Sequence, residues 1–353
     1  MQNETTGSVS VVKKISSYLR AQKTYANTAY FLFVMLFYYS QLNIVITFAT
    51  GNTAEYKVLF YSLLFFKIGE LFSFILEGRY IRLSLIGAAA SVLYFSISGY
   101  TLPPLFLFWG FSMMKLQKAL GQHADKKIKS YARTAGFLIS PAASLLYLPV
   151  FFAAVIPCAV LCRALLSAEA EYRIRIPAFE SNAAVYTVMA LHNAHYFAYA
   201  FTIPFLFIQG GLPVWLAGAA FFAGWIAYNS YDTLVKPRWP VFAAGHLLVA
   251  ASLIGLYFTN SISLMILLWF LTGVGGGTAY MLKPLLDIKK NEQLKDLQTA
   301  EGIGHVLGII VWIAAAVYCS FRCTLLAGAA VALLTFLSAL IVHAAKKKQA
   351  AAA

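Results

Sequence analysis

Apolar runs of roughly 20 residues, the length that crosses a bilayer as a helix, recur along almost the whole chain. They lie near residues 28–49, 57–76, 83–99, 102–119, 134–148, 149–166, 183–208, 213–232, 240–258, 262–282, 301–319 and 323–343. In lipid, every backbone N–H and C=O must be satisfied within the protein, and a helix does this within one segment. The runs therefore predict an all-α polytopic membrane protein with twelve transmembrane helices.

Composition separates this chain from soluble proteins. Of its 353 residues, 61% are hydrophobic and 11% are charged, whereas a soluble domain is about 45–50% apolar and about 25% charged. The formal net charge of +14 is compatible with nucleic-acid binding, but the basic residues lie in short loops between apolar runs. That placement is typical of loops beside anionic lipid. We therefore expect membrane lipids, and no nucleic acid, as partners.

The positions of Lys and Arg predict the orientation. Nearly all of them fall in alternate loops and in the two terminal segments, while the loops at 99–103, 209–213 and 259–263 carry no charge. Positively charged loops stay cytoplasmic. Both termini are therefore expected in the cytoplasm, with the chain in a bacterial inner membrane.

Glycine spacings indicate an internal repeat. Gly69 precedes Glu77 by the same interval as Gly224 precedes Asp232, and Gly110 recurs as Gly275. These matches predict two pseudo-symmetric six-helix bundles. The expected organisation is a cytoplasmic segment 1–27, an N-terminal bundle 28–166, a cytoplasmic linker 167–181, a C-terminal bundle 182–345 and a basic tail 346–353.

This organisation resembles the major facilitator superfamily of secondary transporters over the whole chain. A loop motif of that family consists of a glycine, an acidic residue, and then glycine and basic residues. The residues similar to the motif are Gly69, Glu77, Gly78, Arg79 and Arg82, with Gly224, Asp232, Lys236 and Arg238 as the counterpart in the second half. The resemblance implies a monomer without a cofactor that works by alternating access on a proton or cation gradient, and in which these residues hold or release the gate.

The fifth predicted helix bears on the direction of transport. Its stretch Gly136-x3-Ser140-Pro141 is similar to a small-residue and proline motif of exporters in that family, which implies proton-coupled export and a bending role for Pro141. Many such exporters carry an arginine shortly before a glycine of the fourth helix, whereas Leu105–Phe108 precede Gly110 here. Proton-coupled import of a sugar-like or nucleoside-like solute therefore remains the alternative.

Polar residues on the first and seventh predicted helices are candidates for substrate binding. On the seventh, His192, His195, Tyr196 and Tyr199 share one face, with Asn193 beside them. The first, its symmetry mate, offers Tyr39 and Asn43 at the same helical spacing. Polar groups in lipid are costly unless they face a cavity or a partner. We expect a small polar or amphipathic organic substrate between these helices, although helix–helix hydrogen bonding is the other interpretation.

Titratable residues inside the spans are candidates for proton coupling. Glu301 and His305 form an acid–imidazole pair on the eleventh helix, with Trp312 further along the same stripe as a substrate contact. Lys67 and Glu70 lie three residues apart within the second helix, where a charge needs a partner. The coupling candidates are Glu70, His192, His195, Glu301 and His305. For Glu301, a simple role at the start of a helix is equally open.

An enzyme is the rival class. The chain has six histidines, on different helices and at different predicted depths, which argues against a membrane di-iron centre, and no metal site is expected. Cys158, Cys162, Cys319 and Cys323 lie in or beside apolar runs and are interpreted as free cysteines packed within helices.

Overall fold

The computed structural model describes residues 56–78, 103–121, 173–179, 183–234, 236–285 and 291–352, with isolated positions between 24 and 34 and between 125 and 135. The third, fifth and sixth predicted spans and nearly all of the first lie outside the described residues. So do the predicted site residues Tyr39, Asn43, Arg79, Arg82 and Pro141.

Each predicted apolar run that falls among the described residues is mostly helical. Two helices come from the first half: α1 (Tyr56–Ile75) and α2 (Pro103–Gly121). The second half contains α3 (Ala183–Phe197), α4 (Thr202–Gln209), α5 (Val214–Leu234), α6 (Trp239–Phe258), α7 (Ile262–Gly276), a 3₁₀ turn (Gly277–Met281), α8 (Leu282–Leu285), α9 (Asn291–Tyr318) and α10 (Cys323–Ala352). We call α3–α10 the C-terminal bundle.

Four segments of the described residues are long and apolar enough to cross a membrane. They are Trp239–Phe258, Ile262–Met281, Glu292–Tyr318 and Cys323–Lys348. Large apolar side chains such as Phe258, Leu267 and Ile341 are exposed on these segments. In water such a surface would be unfavourable, whereas lipid tails cover it at no cost. The chain is an integral membrane protein.

The seventh predicted span is broken rather than continuous. Helix α3 ends at Phe197, a turn occupies Ala198–Phe201, and α4 begins at Thr202. Pro204 explains the position of the break, because proline has no N–H to bond to the carbonyl four residues earlier. Helix α9 also differs from its prediction, since it begins at Asn291 rather than near residue 301.

Close helix crossings at glycine occur in both halves. A side chain at Gly69 would meet the backbone of Leu107, and one at Gly110 would meet the backbone of Phe66, so α1 and α2 are in backbone contact here. In the C-terminal bundle, Gly273 of α7 lies against the backbone of Gly224 of α5. Small residues permit this approach between membrane helices. The predicted mate of Gly110, Gly275, lies against Gly245 of α6 instead.

Part of the linker forms a strand with the end of α1. Leu76–Glu77 (β1) pairs antiparallel with Arg173–Ile174 (β2), and Arg175 N donates to Ile75 O at 2.9 Å. The ammonium group of Lys115 on α2 donates to the carbonyls of Leu76 and Gly78, which α1 leaves without helical partners. The polar linker is thus attached to the first half at the end of α1.

The core of the C-terminal bundle has two apolar clusters. One, near the start of α6, includes Trp239 and Phe242, and the other includes Phe207, Leu253 and Trp269. The interpretation of all cysteines as free was wrong for one pair: Cys319 and Cys323 form a disulfide across the turn between α9 and α10. That turn brings their Cα atoms to 6.0 Å, within the range a disulfide spans.

Candidate functional site

Helix α1 of the first half packs along α9 of the C-terminal bundle. Toward one end, the rings of Phe60 and Trp312 meet edge to face with centroids 4.8 Å apart. Near the other, Gly302 leaves room for the side chains of Leu71 and Phe74. This contact joins α1 to the C-terminal bundle, and it is the described part of the boundary between the two predicted halves.

A buried ionic cluster lies midway along this boundary. Lys67 Nζ donates to Glu70 Oε2 at 2.8 Å, and both residues are 2% exposed. The same carboxylate oxygen lies 3.1 Å from His305 Nδ1 of α9. The sequence led us to expect a partner for Glu70, and the structure provides one from its own helix and another from across the boundary.

The cluster extends to a more exposed carboxylate and is enclosed by an aromatic ring. His305 Nε2 lies 4.0 Å from Glu301 Oε1, whose side chain is 37% exposed. The ring of Phe197, at the end of α3, is 4.2 Å from Lys67 Nζ and 4.4 Å from the His305 ring, measured to its centroid. Three of the predicted coupling candidates, Glu70, His305 and Glu301, therefore lie in one series of contacts.

A carboxylate only accepts hydrogen bonds, so His305 Nδ1 is the donor to Glu70, and the other ring nitrogen, Nε2, faces Glu301. A carboxyl group and an imidazole in such contact can each bind or release a proton. Adding a proton to either partner changes the charge at the boundary between the halves by one unit. In the membrane interior such a change acts strongly on the packing of α1 against α9.

A second ionic cluster joins the halves at the end of α1 that is predicted to be cytoplasmic. Lys295 of α9 contacts Glu77 at 2.7 Å and Glu292 at 3.2 Å. Arg175 of the linker contacts Asp296 and Glu292, the latter at 3.0 Å, and lies 3.7 Å from Glu77. Glu77, a predicted gating residue, thus contacts cations from both the linker and α9.

The other predicted gating residues are placed differently. Gly69 lies at the crossing of α1 and α2. Arg238 is exposed at the start of α6. Asp232 lies in the last turn of α5, and its side chain is outside what the structure describes. Among the described residues, only Glu77 of this set has ionic contacts that join the halves.

His192 and His195 do not contact the first half within the described residues. Both are buried and point toward α6, where His192 Nδ1 lies 2.8 Å from His246 Nε2 and the His195 and His246 rings meet at 5.1 Å. The expectation that the histidines lie at different depths was wrong for these three, because the turns of α3 and α6 that carry them are adjacent.

The remaining substrate candidates also contact the C-terminal bundle. Asn193 donates to Met189 O at 2.9 Å, and Tyr196 and Tyr199 contact each other. Tyr199 is 1% exposed and packs on Gly328. Trp312 is fully buried and donates to Thr202 Oγ1 at 2.9 Å, but its ring also meets Phe60 of α1. Of this group, Trp312 is the one that the described contacts place at the boundary.

The arrangement of the helices is that of known transporters. The chain superposes on the POT family transporter PepTSo with a TM-score of 0.68 at 11% identity, covering 93% of this chain and 99% of that one. It superposes on the human organic anion transporter MFSD10 (TETRAN) with a TM-score of 0.59 at 12% identity, covering 91% and 99%. The chain shares the fold of these two transporters. No protein-family sequence profile matches it, and no curated protein matches its sequence.

Several residues of the site carry no signal in the sequence. Arg175 was assigned to a connecting linker, and Phe197 and Thr202 looked like ordinary helix residues. His246 stood alone in an apolar run, with no neighbour in sequence to suggest a cluster. Only the packing of helices far apart in the chain brings these residues to their partners, and local spacing carries no signal for it.

Proposed function

We propose that the chain is a secondary active transporter that exports a small polar or amphipathic organic molecule in exchange for protons. The fold supports transport, because the solved structures it resembles are transporters. Proton coupling rests on one observation: the contact of His305 with Glu70 across the boundary between the halves. Export rests on the sequence around Pro141, which is similar to exporters of the family.

Coupling follows from what each protonation state does to that contact. With Glu70 ionised, Lys67 and His305 both hold its carboxylate, and α1 stays against α9. A proton on Glu70 removes the ionic attraction and weakens the contact, which favours separation of the helices. Proton uptake and the change of access are thereby linked, as a transporter driven by a proton gradient requires.

The second ionic cluster acts as the gate in this proposal. Glu77, Arg175 and Lys295 close the predicted cytoplasmic ends of α1 and α9. The Lys295 side chain is 38% exposed, so its pair with Glu77 contributes only about 0.2–1 kcal/mol. The more deeply buried Arg175 carries the rest of the closing interaction in this proposal.

The complete architecture in this proposal has twelve helices in two six-helix bundles, with both termini in the cytoplasm and the monomer as the working unit. The recurrence of glycine crossings between α1 and α2 and between α5 and α7 supports the repeat. The charge-free outer loops of the sequence support the orientation.

Purified protein in liposomes tests the coupling. Loaded with a pH-sensitive dye, the liposomes are challenged with organic anions, organic cations, short peptides, sugars and nucleosides. We expect at least one class to accumulate uphill when a proton gradient is imposed and to stop when a protonophore is added. His305→Gln and the double variant Lys67→Met/Glu70→Met should abolish uphill accumulation while retaining exchange of labelled solute across equilibrated membranes, because binding and access do not need the titrating groups and neither variant leaves a buried charge without its ion partner.

His343→Gln is the matched control, since His343 lies on α10 away from the cluster and should retain uphill transport. Accumulation by His305→Gln and by Lys67→Met/Glu70→Met at the rate of the unmodified chain would refute coupling at this contact. His192→Gln and His195→Gln would then be measured in the same assay.

A further inference from the structure

The C-terminal bundle contains a cluster of three histidines that the proposed transport mechanism does not use. His192 and His195 lie in the last two turns of α3, and His246 faces them from the middle of α6. One ring nitrogen of each lies within 4.8 Å of the others. All three side chains are buried, with residue exposures of 4%, 1% and 0%.

The hydrogen bonds of the cluster orient the rings toward one another. His246 Nδ1 donates to the carbonyl of Phe242 at 2.8 Å, which leaves its Nε2 with a free lone pair. His192 Nδ1 lies 2.8 Å from that Nε2. A backbone carbonyl that fixes the tautomer and the orientation of an imidazole is the usual outer partner of a metal-binding histidine.

His195 lies beside the backbone of Leu191 and His192, but its buried Nδ1 makes no hydrogen bond of good geometry among the described residues. Native proteins rarely leave such an atom unsatisfied. The rings of His192 and His246 lie 5.0 and 5.1 Å from the His195 ring, centroid to centroid. An electrophile at the centre of the three rings would complete the bonding of the cluster.

From these contacts we propose that His192, His195 and His246 bind one late first-row transition-metal ion, with Zn²⁺ as the representative. Neutral imidazole nitrogens suit Zn²⁺, Cu²⁺ and Ni²⁺ and do not suit Mg²⁺ or Ca²⁺, which prefer oxygen. The ion replaces the proton shared by His192 and His246, and a water or hydroxide completes the fourth position. Zn–N bonds of about 2.0–2.1 Å place tetrahedral nitrogens about 3.3 Å apart. The three ring nitrogens lie within 4.8 Å of one another, so the imidazole rings must rotate to reach that spacing.

The site joins the two helices that its ligands belong to. Helix α3 ends two residues after His195, and the break at Ala198–Phe201 follows at once. A bound ion therefore fixes the end of α3 against α6, next to Phe197, which packs on the ionic cluster of the boundary. Metal binding is a property of the C-terminal bundle and does not depend on proton coupling at Glu70.

The test is the metal content of the full-length protein in detergent. The protein is stripped with a chelator, incubated with a small excess of Zn²⁺, passed through a desalting column and analysed by mass spectrometry for zinc. We expect one Zn²⁺ per chain, and at least a tenfold weaker affinity in His195→Gln and in His246→Gln. Co²⁺ in place of Zn²⁺ should give the visible absorption of a four-coordinate ion, which a non-specific surface ion does not give.

Two controls separate this site from other histidines and from misfolding. His343→Gln should bind zinc as the unmodified chain does. His305→Gln should also bind zinc, even where it has lost uphill transport. Zinc content tests the metal site and uphill transport tests the proton coupling, so each proposal can fail independently of the other. Zinc should raise the melting temperature of the unmodified chain and of both controls. An unmodified chain that retains no zinc, or a His192→Gln/His195→Gln/His246→Gln variant that retains as much as the unmodified chain, overturns the proposal.

Discussion

At the scale of single residues, the pair formed by Lys67 and Glu70 determines what the boundary between the halves can do. Both groups are almost inaccessible to solvent, so neither can find water if the other is removed. A buried charge that loses its partner is strongly unfavourable, whereas replacing both partners with apolar groups is often neutral. The two residues are therefore expected to depend on each other for stability.

The single variant Lys67→Met should lower the free energy of unfolding by about 3–5 kcal/mol, because it leaves the Glu70 carboxylate with only His305. The double variant Lys67→Met/Glu70→Met should recover most of that loss. Melting temperatures in detergent, measured for both single variants and the double, complete the cycle. If the two substitutions are additive, the pair does not interact in the way its 2.8 Å contact implies.

At the scale of helices, glycine positions set how closely neighbours approach. Gly273 and Gly276 lie on consecutive turns at the end of α7 and differ in their surroundings. A methyl group on Gly273 would overlap the backbone of Gly224, which cannot move aside without shifting α5. One on Gly276 would meet only the ring of Tyr228, at an ordinary 3.4 Å.

Gly273→Ala should therefore destabilise the protein by about 1–3 kcal/mol, as overpacking does, and Gly276→Ala should leave the melting temperature nearly unchanged. Thermal unfolding of the two purified variants in the same detergent is the measurement. Equal melting temperatures for the two would show that α5 and α7 do not meet at Gly224.

The linker strand is the second element whose contacts carry a prediction. Arg175 reaches Glu77, Glu292 and Asp296, so removing its guanidinium should loosen the predicted cytoplasmic ends of α1 and α9. Thr299, buried at 1% one turn along α9, serves as the reporter when replaced by cysteine. We expect Arg175→Gln to increase maleimide labelling of Thr299→Cys several-fold, quantified by mass spectrometry of the peptide.

Arg238→Gln is the comparison, because Arg238 is an exposed arginine at the start of α6. It should leave the labelling rate of Thr299→Cys unchanged. A rate that rises equally in both variants would mean that loss of positive charge, rather than loss of the Arg175 contacts, exposes the helix.

At the scale of the whole molecule, the apolar runs were enough to predict the helices that the structure describes. Lipid imposes one length and one hydrogen-bonding solution on each span, and both can be recognised locally. The break before Thr202 could have been anticipated from Pro204, but a continuous apolar pattern concealed it. The early start of α9 could not have been anticipated in this way. The first turns of this helix are polar, and contacts with Arg175 and Glu77 stabilise them.

The candidate site, like the fold, was only partly predictable from the sequence. Glu70 and His305 were recognised because charged or titratable groups are rare within spans, yet nothing in their positions, 235 residues apart, indicates that they touch. His192 and His195 were assigned to a cavity from their shared helical face. A helical face has no absolute direction in the sequence, and the structure turns this one toward α6.

The disulfide between Cys319 and Cys323 makes the turn between α9 and α10 a chemical marker of the compartment it reaches. Thiols pair in the periplasm or outside the cell and stay reduced in the cytosol, and the chain has four cysteines. With this turn outside, protein taken directly from cells and alkylated should show two modified cysteines, Cys158 and Cys162, and four after reduction. A chain inserted in the opposite orientation would show four modified cysteines before reduction. Alkylation of the native cysteines therefore reports the orientation of the chain in the membrane without any engineered label.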